Sequence, residues 1–178
     1  VMPVFGTQMF GSAASGYEID YSCVFNDDDT SSVKRTYGTG GNQDLWTLSF
    51  WIKRTEIGTG GDDVETYIFG AGDDTSNAFI IMLHPSDTLR VWNYSSSAYQ
   101  TFIETTQVFR DVSAWYHFVI VYDSAQVTAE DRVTIYVNGV EITALQGTGG
   151  TSLTYPAQNG DSFLGANVEI GFGGYIPH

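Results

Sequence analysis

Two stretches of strict alternation leave this chain few folds to choose from. In WYHFVIVYD, residues 115–123, Tyr116, Phe118, Ile120 and Tyr122 share one side, and Trp115, His117, Val119 and Val121 share the other. That period of two is what a β-strand imposes on its side chains. In VTIYVNGVEI, residues 133–142, Asn138-Gly139 stands between two β-branched runs. Both residues tolerate positive φ, so the pair predicts a two-residue type I′ hairpin. Neither stretch holds a nucleophile, a metal cluster or a phosphate cradle. They specify a sheet and leave the chemistry to the rest of the chain.

The rest also reads as strands. LWTLSFWIKR, residues 45–54, puts Trp46, Leu48, Phe50 and Ile52 on one side and Thr47, Ser49, Trp51 and Lys53 on the other. One face in the core and one wet or partly covered gives this pattern. Further strands are predicted at 17–26 (YEIDYSCVFN), 66–72, 78–83, 88–94, 99–105, in SFLGA (162–166) and at 168–173, with 88–94 and 99–105 pairing across the SSSA tip. Residues 27–44 read as an acidic polar loop. SAQVTAEDR is the one helical candidate, short and polar enough to serve as a loop. Nine or ten strands at this spacing predict an all-β, antiparallel two-sheet sandwich. Its buried face is expected from Leu48, Phe50, Ile52, Phe118, Ile120, Ile135 and Val137. The run 115–123 is apolar on both faces, as for a central strand covered on both sides.

Composition fits that architecture and excludes several roles. The 178 residues suffice for one domain with a core, or one domain and an arm. Twenty glycines against four prolines, with 15% aromatics, suit strands joined by tight turns. The net charge of −14, with no Lys/Arg stripe, would repel nucleic-acid phosphates, so no nucleic acid is expected as partner. Cys23 stands alone, which excludes an internal disulfide; within YSCVF it is expected to be buried as a small hydrophobe. His117 is expected in a core or half-buried setting. No stretch reaches the ~20 apolar residues of a membrane helix, so no membrane insertion is expected. The segment VMPVFGTQMFGSAASG has no basic start or apolar block and does not read as a signal peptide. Val4, Phe5, Met9 and Phe10 give residues 1–16 the character of a docking arm or tail ahead of a sandwich domain over 17–178.

The order TLSFWIKR, YIFGAG, LRVW, WYHFVIVYD and VTIYVNGVEI resembles the laminin-G-like, concanavalin A-like jelly roll over residues 17–173. In that family the W-x-H strand packs in the core ahead of an Asn-Gly hairpin. The stretch YSCVFNDDD…KRTYGTGGNQDLWTLSFWIKR is similar to jelly-roll domains of tailed-phage virion proteins, particularly tail and head fibres of marine phages. The resemblance implies a virion protein on the exterior of the particle, a fibre or capsid-decorating module. Its implied partners are other virion proteins and, at the host surface, polysaccharide. Fibre-like modules of this kind are usually threefold, which makes a homo-oligomer, a trimer, the expectation. The family's pattern also continues into a further strand beyond residue 173, and without it an open sheet edge is expected. Either a longer polypeptide or a strand supplied by another chain would cover such an edge.

The family spans lectins, calcium-dependent adhesion domains, hydrolases and structural modules, so the fold leaves function open. Glucanases on this fold carry their acids in an E-x-D-x-x-E strand. Here Glu18 and Asp20 would share a face, but Cys23 stands where the third acid is needed. No enzymatic activity and no required cofactor are therefore expected. Ca²⁺ is the candidate ion: Asp27, Asp28, Asp29, Asp62, Asp63, Asp73 and Asp74 sit in loops, with Asp73 and Asp74 best placed beside a strand end. For carbohydrate, Trp92, Tyr94 and Tyr99 flank the SSS tip, where rings could stack on a pyranose and Asn93 could bond to it. Against this, strand aromatics mostly pack against one another. A non-enzymatic virion structural module is the first reading. A carbohydrate-binding, lectin-like host-adhesion domain in the same setting is the alternative.

Overall fold

The computed structural model describes residues 22–25, 31–36, 38–55, 57, 65–74 and 76–174. They form two antiparallel sheets and one 3-10 turn, Glu130–Arg132, within the predicted helical candidate. The strands are β1 (Val33–Thr36), β2 (Leu45–Ile52), β3 (Thr66–Asp74), β4 (Asn77–Leu83), β5 (Thr88–Ser95) and β6 (Ala98–Val108). They continue with β7 (Tyr116–Asp123), β8 (Val133–Val137), β9 (Val140–Glu141), β10 (Leu145–Gln146) and β11 (Glu169–Phe172). The larger sheet has seven strands in the order β1-β11-β3-β4-β5-β6-β10, and the smaller has four, β2-β7-β8-β9. No helix among the described residues is long and apolar enough to cross a membrane.

Alternation decides what each sheet buries. Phe118, Ile120 and Tyr122 of β7, with Val133, Ile135 and Val137 of β8, face Phe69, Phe79, Ile81, Leu89, Val91 and Ile103 of the large sheet. Leu48, Phe50 and Ile52 point to the same core but are half-buried, because β2 is the edge of its sheet. Trp46 ties that edge down. Its ring stacks on Tyr122 at 5.1 Å and 8°, meets Phe79 of the other sheet edge-on at 5.1 Å, and its indole N–H donates to Ser162 Oγ at 2.8 Å. Burial pushes the Tyr122 hydroxyl up to about 12, against an opposing hydrogen bond, with Asp161 and Asp44 adding to the rise. That hydroxyl donates to the Gly160 carbonyl at 2.9 Å. The β8–β9 turn is the expected hairpin, with Asn138 at φ 50° and Gly139 at φ 79°.

Five expectations change. Residues 33–36 are a strand within the expected loop: VKRT is exposed throughout and is held by its backbone ladder to β11. SFLGA is a loop, because Phe163 N–H donates to the buried Asn93 Oδ1 at 3.2 Å and Ser162 N–H donates to the Gln43 carbonyl at 3.0 Å. Cys23 is exposed and residues 22–25 are not a strand, so the thiol is not a core group. Trp115 lies exposed on the solvent side of β7, where a strand covered on both faces was expected, because the alternate residues Phe118 and Ile120 fill the core, while His117 beside it is half-buried as expected. The outer face of β7 is thus only partly covered. Finally, β11 lies between β1 and β3 and is paired on both sides, so no open edge adjoins it.

A buried charge network fastens one end of the sandwich. Asp87, in the β4–β5 turn with φ 65°, accepts from Arg54 Nη1 and from Arg110 Nε, each at 2.6 Å. Arg54 Nη1 also donates to the Phe109 carbonyl at 2.7 Å, and Phe109 itself is fully buried against Tyr116 and Phe118. Burial alone would raise the Asp87 pKa; the hydrogen bonds and charges of Arg110 and Arg54 outweigh it and hold the carboxyl below its ordinary value.

Candidate functional site

The β5–β6 hairpin carries the predicted sugar contacts, and its turn is Ser96-Ser97, at φ 52° and 62°. Two successive left-handed residues are what a two-residue hairpin needs, and serine is a costly choice for both. Along β5 the residues alternate between faces: Leu89, Val91 and Asn93 point into the core, while Arg90, Trp92 and Tyr94 lie on the outer face of the large sheet. Trp92 is half-buried there, packed with Tyr67 on a second apolar cluster of Ala78, Ile80 and Met82. Tyr99, on β6, sits among the rings. It meets Tyr94 at 4.9 Å, Trp92 at 5.9 Å and Phe102 at 4.9 Å, all edge-to-face. Tyr99 keeps 39% of its surface and Tyr94 is half-buried.

Three of the four predicted sugar residues therefore come together, and the fourth does not. Asn93 is 1% exposed and turned to the opposite face, donating to the Asp161 carbonyl at 3.4 Å while it accepts from Phe163. Its amide positions the 161–163 loop and cannot reach a ring stacked on Tyr94 or Tyr99.

Beside the aromatics lies a polar network that the sequence reading missed. Glu104, only 1% exposed, accepts from Thr88 Oγ1 at 2.7 Å, Thr148 Oγ1 at 2.6 Å, and Arg90 Nε and Nη2 at 2.8 and 2.7 Å. Burial opposes its ionisation, but the bonds from Thr148, Thr88 and Arg90 prevail and lower its pKa. The Arg90 guanidinium also lies 5.2 Å from the Phe102 ring centre, and Tyr67 donates to the Glu65 carboxylate. A carboxylate held ionised by four donors and shut from solvent is unsuited to give or take a proton from substrate. The signal in the sequence was the same-face pair Arg90 and Glu104 on strands read as a hairpin.

Asp73 and Asp74 are both exposed at the end of β3. Asp74 Oδ1 accepts from Ser76 N–H at 2.7 Å and Asn77 Nδ2 at 3.3 Å, so it shapes the β3–β4 turn. Among the described residues, no three His, Cys, Asp or Glu side chains converge as a metal site would require. Val4, Phe5, Met9 and Phe10 of the arm, Glu18 and Asp20, and Asp27, Asp28, Asp29, Asp62 and Asp63 lie outside the described residues.

The fold has relatives. A family model described as the concanavalin A-like lectin/glucanases superfamily, Laminin_G_3, matches residues 25–176. Among solved structures, the chain is similar to a native heptameric SAP-like pentraxin from Limulus polyphemus, at 14% identity and TM-score 0.50, over 83% of this chain and 59% of that one. It is also similar to the Ruminococcus gnavus IT-sialidase CBM40 bound to α2,3-sialyllactose, at 9% identity and TM-score 0.43, over 82% of this chain and 91% of that one. Domains LG4-5 of the mouse laminin α1 chain match at 11% identity and TM-score 0.38, over 90% of this chain and 39% of that one. The chain thus spans well under two thirds of the pentraxin and laminin chains. No curated protein sequence matches it.

Proposed function

Starting from a chain that belongs to the concanavalin A-like lectin/glucanases superfamily, we propose a non-enzymatic attachment module on the exterior of a tailed-phage particle. It acts as a fibre or capsid-decorating protein, and the exposed tip of its β5–β6 hairpin contacts host-surface polysaccharide. The observation that carries binding rather than cleavage is the state of Glu104. On the face where Tyr94 and Tyr99 are presented, this carboxylate is buried and saturated by Thr88, Arg90 and Thr148. Rings that can stack are present, and Glu104, the buried acid of that face, is not available to protonate the leaving oxygen of a glycosidic bond. The virion setting rests on the resemblance of residues 21–54 to phage fibre domains and on an acidic, nearly cysteine-free composition that needs no redox protection.

In this reading the module assembles as a homotrimer and docks to other virion proteins through Val4, Phe5, Met9 and Phe10. Incubating the protein with a panel of host polysaccharides tests the central claim. Saturable binding without new reducing ends is expected, weakened about tenfold by Tyr99→Ala, a loss of about 1.4 kcal/mol. Release of reducing ends overturns the non-enzymatic reading. Particle incorporation tests the virion claim: removing residues 1–15 should abolish it while the melting temperature stays within a few degrees, and normal incorporation overturns the arm.

A further inference from the structure

The solvent face of the smaller sheet carries a second cluster of rings, separate from the β5–β6 tip. Trp51 of β2 lies opposite His117 of β7 in register, and the two rings stack at 4.7 Å and 15°. The His117 ring is held through Nε2, which shares a hydrogen bond of 2.8 Å with Ser49 Oγ, while the backbone N–H of His117 donates to Asn138 Oδ1 at 2.9 Å. One position beyond the last ladder pair, Ile52 with Tyr116, the same register sets Lys53 opposite Trp115. The alternation of Ile52 half-buried and Arg54 buried turns Lys53 outward with Trp51. Trp51 is 54% exposed and Trp115 47%. Four side chains thus tile a rectangle about 5 Å across and about 7 Å along the strands. That is commensurate with one sugar ring.

The charge of this patch runs against that of the molecule. In a chain of net charge −14, the other basic side chains are engaged. Lys34 pairs with Glu169, Arg54 and Arg110 with Asp87, Arg90 with Glu104, Arg132 donates to backbone carbonyls, and Arg35 has a partner of its own. Among the described residues, Lys53 makes neither an ion pair nor a hydrogen bond. Lys53 helps to lower the Asp111 pKa, and that carboxylate is already bonded to the Ser113 hydroxyl and N–H at 2.6 and 2.8 Å. Glu141 lies on the same face but three strands away, about 14 Å from β2.

We infer that Trp51, Lys53, Trp115 and His117 form a binding site for an acidic pyranose, such as a uronic acid residue of a polysaccharide. The sugar stacks on the Trp51 face turned away from His117, and its carboxylate meets Lys53. A second copy of the chain is the poorer occupant. The exposed rings span two strands, and beyond them the same face mixes Thr47, Ser49 and Thr134 with the half-buried Val119, Val121 and Tyr136. Two such copies would bring net charges of −14 together.

Calorimetric titration with a tetrameric oligogalacturonate, and with its methyl ester as an uncharged match, tests the site. Saturable binding of the acid form is expected, reduced at least tenfold by Trp51→Ala, by Lys53→Gln and by esterification, and unchanged by Tyr99→Ala. Thermal melts of each exposed-site variant check that the fold is retained. Absence of saturable binding, equal affinity for the ester, or full affinity in Trp51→Ala or Lys53→Gln overturns the inference. Loss in Tyr99→Ala with retention in Trp51→Ala also overturns it and leaves the β5–β6 reading standing. A change in sedimentation behaviour of Trp51→Ala would assign the face to self-association and overturn it as well.

Discussion

At the scale of single residues, Asp87 and Glu104 show how much of this molecule depends on buried charges, one in a turn and one on the outer face of the large sheet. Asp87→Ala strands the buried Arg54 guanidinium without its partner and should cost about 3–5 kcal/mol in urea unfolding. Both carboxyls have folded pKa values below their ordinary ones, so each stabilises the fold above the unfolded value near pH 4 and loses that contribution as pH falls through the folded value. Stability measured from pH 6 down to pH 2 should therefore decline on the acid side. Glu104→Gln should flatten part of that decline, and an unchanged slope would remove Glu104 from the account. The Asp87 network was not legible in the sequence, because Arg54 and Asp87 are 33 positions apart and only the folded turn brings them together, whereas the Arg90–Glu104 pair lay on one face of a predicted hairpin. Asn93 is the opposite case. The alternation that places Trp92 outward turns its neighbour inward, so the sequence itself separated Asn93 from the aromatic group. Phe118, by contrast, was assigned to the core from its period alone and is fully buried; Phe118→Ala should cost about 3–5 kcal/mol. Near-native stability of that variant would contradict the packing.

At the scale of elements, hairpins were the most legible units and edge strands the least. The Asn138-Gly139 turn follows from positive-φ residues between alternating runs, and the pairing of β5 with β6 from a polar tip between two strand runs. The strand β1 has no such signal: all four of its residues are exposed, and only its ladder to β11 makes it a strand. The two hairpin turns differ in fitness. Asn138-Gly139 holds its left-handed φ values with residues that favour them, whereas Ser96-Ser97 does so against preference. Replacing Ser96-Ser97 by Asn-Gly should raise stability by about 1 kcal/mol, and Gly139→Ala should lower it by a similar amount. Thermal or urea unfolding of the two variants checks both signs. A loss on the first exchange would mean that the serine side chains hold the tip in ways backbone preference does not capture.

At the scale of the whole molecule, the two-sheet sandwich was legible from alternation and turn spacing, whereas the division into seven and four strands was not. The chain starts in the large sheet with β1, crosses to the small sheet for β2, returns for β3–β6, crosses again for β7–β9 and comes back for β10 and β11. No local pattern records those crossings; they are fixed by which faces must meet. Such non-local pairing places refolding in the millisecond-to-second range of all-β sandwiches, which stopped-flow fluorescence of the four tryptophans would measure. The pairing of the first described strand with the last has a mechanical consequence. Val33 lies opposite Phe172, so tension drawn through the chain before β1 and after β11 acts on two adjacent points of one antiparallel pair. The four rungs of that pair bear load one after another rather than together, as a zipper does. A module pulled at Val33 and Phe172 would yield first by peeling β1 away at low force, lengthening the tether while the core between the sheets stays closed.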